Sequence, residues 1–345
     1  MDCRSSLTTV TTDPRSEPPT TQTYAADDLA QLVVAGDRRA LARAITLVES
    51  TRPDHREQAV ALLDALLPHT GDTTRVGISG SPGVGKSTFI EAIGLHVVDR
   101  GHRLAVLAVD PSSRRSGGSI LGDKTRMAEL VRHEAAFIRP SPAGATLGGV
   151  ARRTREALLV CEAAGFDVVF VETVGVGQSE VAVADLVDLF VLLVAPGGGD
   201  DLQGIKRGIM ELADLLVVNK ADGELADAAE RTASDYANAL SLTRPRWDGE
   251  PPQVLTASAL TNTGIAEVWD TVDRLASEAV AAGERDRRRA RQATTWMWDE
   301  IRQELHDRLL ADPEIAAAVE AAEAAVSRGE LSPAAGAREI LGRAT

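Results

Sequence analysis

Between residues 75 and 282 the chain alternates short apolar runs with longer segments whose apolar residues recur every three or four positions. The runs are RVGIS (75–79), RLAVLAVD (103–110), AAFIRP (135–140), DVVFVET (167–173), LFVLLVA (189–195), LLVVNK (215–220) and QVLTAS (253–258). They are continuous in Val, Ile and Leu instead of alternating with polar residues, as strands covered on both faces require. The helical period runs through STFIEAIGLHVVDR (87–100), GVARRTREALLVCEAAG (149–165), LQGIKRGIMELA (202–213) and GIAEVWDTVDRLASEAVAAG (264–283). This rhythm predicts an α/β fold with a doubly wound, mostly parallel sheet.

Helices alone are expected on either side. DDLAQLVVAGDRRALARAITLVES (27–50) and REQAVALLDALL (56–67) repeat apolar positions at helical spacing, with starts near Asp27 or Asp28 and Pro53-Asp54. After residue 283 the strands stop. DRRRARQATTWMWDEIRQELHDRLL (286–310) sets Trp296, Ile301, Leu305 and Leu309 along one stripe, Pro313 interrupts it, and two Ala-rich helices follow. The expected organisation is a disordered tail over 1–25, a helical segment over 26–70, a nucleotide domain over 71–283 and a helical segment over 284–345. Trp296 and Trp298 read as anchors for self-association, with packing on the main domain as the alternative.

Charge narrows the partners. Lys and Arg number 37 against 51 Asp and Glu, a net charge of −14, which argues against nucleic acid as the main partner. The one basic run, ERDRRRAR (284–291), has acidic neighbours and reads as a solvated helix face. Two cysteines, Cys3 and Cys161, give neither a disulfide framework nor a zinc site and fit a reducing cytoplasm. Cys161 sits on an apolar helix face as an inert core thiol. No run approaches the roughly 18 apolar residues of a membrane span, so no membrane partner is expected. The Thr/Pro-rich first two dozen residues carry no signal-peptide core.

The chemistry concentrates after the first strand. GSPGVGKST, from Gly80 through Ser81, Pro82, Gly83, Val84, Gly85, Lys86 and Ser87 to Thr88, satisfies G-x-x-x-x-G-K-[ST] between a strand and a helix. Successive backbone N–H groups there form an anion nest, reinforced by the helix N-terminus. Lys86 would reach the β- and γ-phosphates of a bound nucleotide, and Ser87 would ligate Mg²⁺. NKAD (219–222) ends another strand. Asp222 can accept from guanine N1–H and its exocyclic amine, Asn219 can brace the loop, and the Lys220 stem can lie on the base. Adenine would leave that carboxylate unpaired. Ser258, Ala259 and Leu260 then offer a backbone N–H for guanine O6. GTP is the expected nucleotide.

Acidic residues suited to magnesium close strands at Asp110 and Glu172, and Asp123 lies in the Gly/Ser-rich RRSGGSILGDKTRM. Glu172-Thr-Val-Gly175 takes the place of Asp-x-x-Gly, with the Gly175 N–H placed to sense the terminal phosphate. The nearest glutamine after it is Gln178, so slow intrinsic hydrolysis is expected without a partner. In APGGGDDLQGIKRG (195–208), Gln203 and Lys206 can swing toward the nucleotide, with a plain connector as the alternative. Rival readings are a small-molecule kinase using the same loop and a nickel-insertion GTPase. The latter wants ligand pairs, and the six histidines (55, 69, 96, 102, 133 and 306) are scattered.

GSPGVGKST, AVDPSSRRSGGSILGDKTRM, FIRPSPAGATLGGV, VETVGVGQSE, GGGDDLQGIKRGI and NKAD together closely resemble the methylmalonyl-CoA mutase-associated GTPases, the MeaB/ArgK family. The likeness runs from about residue 28 to the end, including WMW (296–298) and SPAAGA (332–337). It implies a P-loop NTPase of the SIMIBI type, a homodimer joined through its C-terminal helices. It also implies a chaperone that uses GTP binding and hydrolysis to gate adenosylcobalamin delivery to a mutase, and to protect or reactivate it. The catalytic group it implies is Lys86, Asp110, Glu172, Gln203 and Lys206, with Ser87, Asp110, Asp123 and Glu172 toward magnesium and Lys206 drawn in when the partner docks. An older label for the family, arginine/ornithine transport kinase, finds no amino-acid site in the motifs.

Overall fold

The seven expected strands form, and they pair into one sheet that is parallel throughout the described residues. The computed structural model describes residues 25–109, 127–140, 147–173, 179–197, 207–241 and 251–343. The strands are β1 (Thr74–Gly80), β2 (Leu104–Val109), β3 (Ala136–Arg139), β4 (Val168–Thr173), β5 (Leu189–Val194), β6 (Leu215–Val218) and β7 (Gln253–Thr256). Their order is β3-β2-β4-β1-β5-β6-β7, so β2–β4 lie on one side of β1 and β5–β7 on the other, and the winding of the sheet reverses there. In such sheets ligands bind beyond the carboxyl ends of the strands at the reversal, which singles out the end of β1.

Helices cover both faces. N-terminal to the sheet lie α1 (Ala26–Val34), α2 (Arg38–Val48) and α3 (Pro53–Leu66). Between strands come α4 (Lys86–Asp99), α5 (Leu147–Ala163), α6 (Ser179–Ala184), α7 (Arg207–Met210), α8 (Ala226–Leu240) and α9 (Ile265–Ala281). The C-terminal arm is α10 (Glu284–Ala311), α11 (Pro313–Ser327) and α12 (Pro333–Arg343). Strand alternation sorts the core into two layers. Val76, Ile78, Val168 and Phe170 pack with α4 and α9, while Val169, Val171, Phe190 and Leu192 pack with α1–α3, α5, α6 and α8. Every strand residue of β2, β4, β5 and β6 is buried, which is why these runs show no polar alternation. Cys161 is fully buried, and burial pushes its thiol above the ordinary cysteine range.

Three expectations change. The 27–50 pattern is two helices, because Asp37 caps α2 by accepting from the N–H groups of Arg39 and Ala40 at 2.8 and 2.7 Å. Helix α8 was not read from the sequence: its buried stripe is Ala229, Thr232, Tyr236 and Leu240, half of it small or polar.

The basic run at 284–291 is the third, and it is a docking patch as well as a solvated face. Arg289 grips Asp188 through Nε and Nη2 at 2.8 and 2.6 Å and donates to the Gly71 and Thr73 carbonyls at 2.6 and 2.5 Å. Arg288 donates to the Asp188 carbonyl and stands 3.6 Å from Asp214, while Gln292 reaches the Val187 carbonyl at 3.0 Å. Asp188 also accepts the Arg75 N–H at 2.9 Å, and Asp214 the Phe190 N–H at 2.8 Å. Helix α10 therefore clamps the entrances of β1, β5 and β6. These are the strands whose far ends carry the first glycine loop, the 195–208 segment and NKAD. Arg287 and Arg291 stay in solvent.

Beyond the clamp, Glu300 meets Arg56 at 2.7 Å and Arg152 at 3.2 Å. Trp296 packs half-buried on the body beneath the Arg155 guanidinium, 5.3 Å from its ring, whereas Trp298 is 52% exposed. Trp296 thus follows the packing reading and faces away from Ile301 and Leu305, which are exposed with Trp298, so the single stripe expected from the sequence is split between two sides of α10. No helix of the described residues is long and apolar enough to cross a membrane.

Candidate functional site

The glycine loop leaves β1 at its last residue and closes into the first turn of α4. Gly80 has no room for a side chain, since a Cβ would stand 2.4 Å from the Leu193 carbonyl oxygen of β5. Gly85, the residue before α4, takes a left-handed φ of +91° that other residues resist. With no side chain over either position, the backbone N–H groups and the start of α4 face the space beyond the strand ends.

Lys86 folds back into this loop, its ammonium donating to the Gly80 carbonyl at 2.7 Å and the Ser81 carbonyl at 3.2 Å. Burial pushes its pKa below the ordinary lysine value, and the negative fields of Glu172 and Glu180 oppose that shift. Ser87, one residue on, donates to Glu172 Oε1 at 3.2 Å. Glu172 sits at the end of β4, level with Ile78 of β1 and Ala108 of β2, and is 3% exposed. Next to it, the Thr173 and Ser79 hydroxyls bond at 2.8 Å and lock the ends of β4 and β1 together. A hydroxyl and a carboxylate oxygen brought together beside a phosphate loop form the hard-oxygen donor set that magnesium prefers, so these residues fit that ion.

A second loop is tied to the first. Asn219, 1% exposed, donates through Nδ2 to the Val84 carbonyl at 2.9 Å, and Lys220 Nζ donates to the Gly83 carbonyl at 2.7 Å. Lys220 holds a φ of +65°, so this loop carries local strain. The Asp222 carboxylate accepts the Ser258 hydroxyl at 2.5 Å, and that hydroxyl in turn accepts the Thr261 N–H at 3.2 Å. The Ser258 N–H is used by the Thr263 carbonyl, and the Ala259 N–H reaches Asn219 Oδ1 at 3.3 Å. Leu260 is 80% exposed at the rim.

The structure thus brings together Gly80 through Thr88, Glu172, Asn219, Lys220, Asp222, Ser258 and Ala259 at the carboxyl ends of β1, β4, β6 and β7. Asp110, Asp123, Gly175, Gln203 and Lys206 lie outside the described residues. The model of the family described as methylmalonyl Co-A mutase-associated GTPase MeaB matches residues 41–314. The chain belongs to the MeaB family.

Like its relatives in the MeaB family, it is a P-loop GTPase. A probable GTPase of Mycobacterium tuberculosis is 58% identical over 315 residues, spanning 91% of this chain and 94% of the relative. A mouse protein named methylmalonic aciduria type A homolog, mitochondrial, is 49% identical over 319 residues, 90% of this chain and 77% of the mouse protein. A crystal structure described as an LAO/AO transport system kinase superposes with a TM-score of 0.73 at 39% identity, covering 92% of this chain and 97% of that one. Two features of this MeaB-family site were not read from the sequence. The Ser258 hydroxyl on Asp222 has a local signal, a serine closing the QVLTAS strand run. Glu180 has none beyond its nearness in sequence to Glu172.

Proposed function

We propose that this MeaB-family GTPase is a chaperone of an adenosylcobalamin-dependent acyl-CoA mutase, methylmalonyl-CoA mutase being the first choice. In this reading, GTP binding and hydrolysis gate delivery of the cofactor and protect or reactivate the mutase. The observation that carries the nucleotide half is the tie between loops, in which Asn219 and Lys220 hold the Gly83–Val84 backbone while Asp222 stands oriented by Ser258. A phosphate cradle and a purine-reading carboxylate are thereby built as one unit. The name of the mouse relative and the family description support the mutase half.

The residues divide the work as follows. Backbone N–H groups from Gly80 to Thr88 bind the phosphates, and Lys86 exchanges its loop carbonyls for the β- and γ-phosphate oxygens. Asp222 reads the base edge, Lys220 covers the ring, and in the 258–260 segment the Ala259 N–H gives up its 3.3 Å bond to Asn219 and turns to O6, while the Ser258 N–H stays with the Thr263 carbonyl. Ser87 and Glu172, joined by Asp110 and Asp123, would hold Mg²⁺, which would neutralise charge developing on the phosphates. Gly175 senses the γ-phosphate, and Gln203 and Lys206 enter when the mutase docks. The arm supports a homodimer through Trp298, Ile301 and Leu305, which share the exposed side of α10. The cytoplasm is the proposed compartment.

The test is GTP turnover measured with and without the purified cognate mutase. The mutase is expected to raise turnover by about tenfold or more, in the manner of a partner that completes an unfinished site. Turnover indifferent to the mutase, together with phosphate transfer to an amino acid, would replace this reading with the transport-linked kinase.

A further inference from the structure

We propose that Ser79 and Thr173 are positioning residues for GTP hydrolysis, their paired hydroxyls holding Glu172 in place against the phosphate loop. The inference rests on the GTPase site described above and adds two residues to which its motifs give no role.

The ladders around these residues end at different levels. Strand β4 pairs with β1 as far as Glu172 opposite Ile78, and with β2 as far as Thr173 opposite Val109. Strand β1 pairs with β5 one step past Ser79, to Gly80 opposite Leu193. At the level of Ser79 and Thr173 each strand is therefore held by its other neighbour. Between β1 and β4 at that level, the 2.8 Å hydroxyl bond continues where the backbone pairing stops.

This seam divides the site. On the β1 side the next residue is Gly80, pressed so closely on β5 that a Cβ would stand 2.4 Å from the Leu193 carbonyl oxygen. On the β4 side the preceding residue is Glu172, which accepts from Ser87 at 3.2 Å. Alternation sends Glu172 to the α4 face of the sheet and Thr173 to the opposite face, where Ser79 meets it. The two hydroxyls thus act on the site through the backbone, from behind it.

Both residues are 0% exposed. Two buried hydroxyls that satisfy each other add little stability over apolar groups of the same shape, because their desolvation offsets the bond. What they add is direction. A terminal pair opens more readily than an inner one, and without the hydroxyl bond the Ile78–Glu172 pair is terminal. Phosphate binding draws on other ties, those of Asn219 and Lys220 to the Val84 and Gly83 carbonyls. Loss of the hydroxyl bond is therefore felt by the chemical step, where a displacement of about 1 Å can cost about a hundredfold, more than by affinity.

The experiment uses the full chain carrying Ser79→Ala and Thr173→Val together, which removes both hydroxyls and leaves neither unpaired. Single-turnover GTP hydrolysis is expected to slow about tenfold. GTP and GDP affinity in saturating Mg²⁺ should stay within about threefold of wild type, and the urea midpoint should hardly move. The Mg²⁺ concentration that half-saturates the nucleotide-bound chain should rise about threefold as Glu172 loosens. Thr173→Ser, which keeps the hydroxyl, should restore most of the rate. If the double variant does not fold, Thr173→Val alone is compared with Thr173→Ser by the same split between rate and affinity. Hydrolysis at the wild-type rate without the hydroxyls would overturn the proposal while leaving the nucleotide site standing. So would a parallel fall in stability, affinity and rate, the mark of a packing role alone. A wild-type chain that binds no guanine nucleotide would overturn both readings.

Discussion

Asp222→Asn is expected to weaken GTP binding on the order of a thousandfold and to confer binding of xanthosine triphosphate. The carboxylate is the acceptor for two guanine donors, N1–H and the exocyclic amine. An amide keeps one acceptor but sets its own N–H₂ against the guanine amine, so one charge-assisted bond weakens and the other becomes a donor–donor clash. Hydrogen bonds to charged groups are worth about 1.5–3 kcal/mol each, so two of them account for a loss of that size. Xanthine carries a carbonyl where guanine carries the amine, and the amide N–H₂ can donate to it. The Ser258 hydroxyl, now 2.5 Å from Asp222, can donate equally well to the amide oxygen, so the side chain should keep its orientation. Competition binding with the two triphosphates checks this. Unchanged GTP affinity would remove Asp222 from the base site.

Arg289→Ala should cost about 3 kcal/mol of folding stability, from the opposite end of the sheet. The substitution leaves Asp188, 5% exposed, without its bidentate partner, and strips donors from the Gly71 and Thr73 carbonyls. Breaking a buried pair from one side is costly because the remaining charge stays desolvated. Asp188 keeps the Arg75 N–H, which holds the loss toward the lower end of the usual range. Urea unfolding measures the effect as a shift in midpoint at constant slope. A shift worth less than about 1 kcal/mol would return this arginine to the solvated surface that the sequence alone suggested.

Sheet and phosphate loop were legible for the same physical reason. A parallel strand buried on both faces must be written as an uninterrupted apolar run, and a loop that offers its backbone to phosphate must be written with glycine, lysine and a hydroxyl. Both are local requirements. What escaped notice depended on distant partners or on residues that fill space without being strongly apolar. Helix α8 buries Ala229 and Thr232, which do not stand out in a hydrophobic pattern. The 284–291 arginines found Asp188 and Asp214, about 100 and 75 positions earlier. Even so, each acid stands directly before an apolar strand, in VDLFVLLV and ADLLVVN, where a lone carboxylate needs an explanation.

The central claim is that the carboxyl end of the sheet grips a triphosphate with backbone amides and identifies its purine with Asp222. Displacement of a fluorescent GDP analogue from the full chain by GTP and by ATP, in Mg²⁺, tests it most directly. The account predicts that ATP requires at least a thousandfold higher concentration than GTP, on the order of what an unpaired buried carboxylate imposes. Equal displacement by the two triphosphates, or by neither, would contradict it.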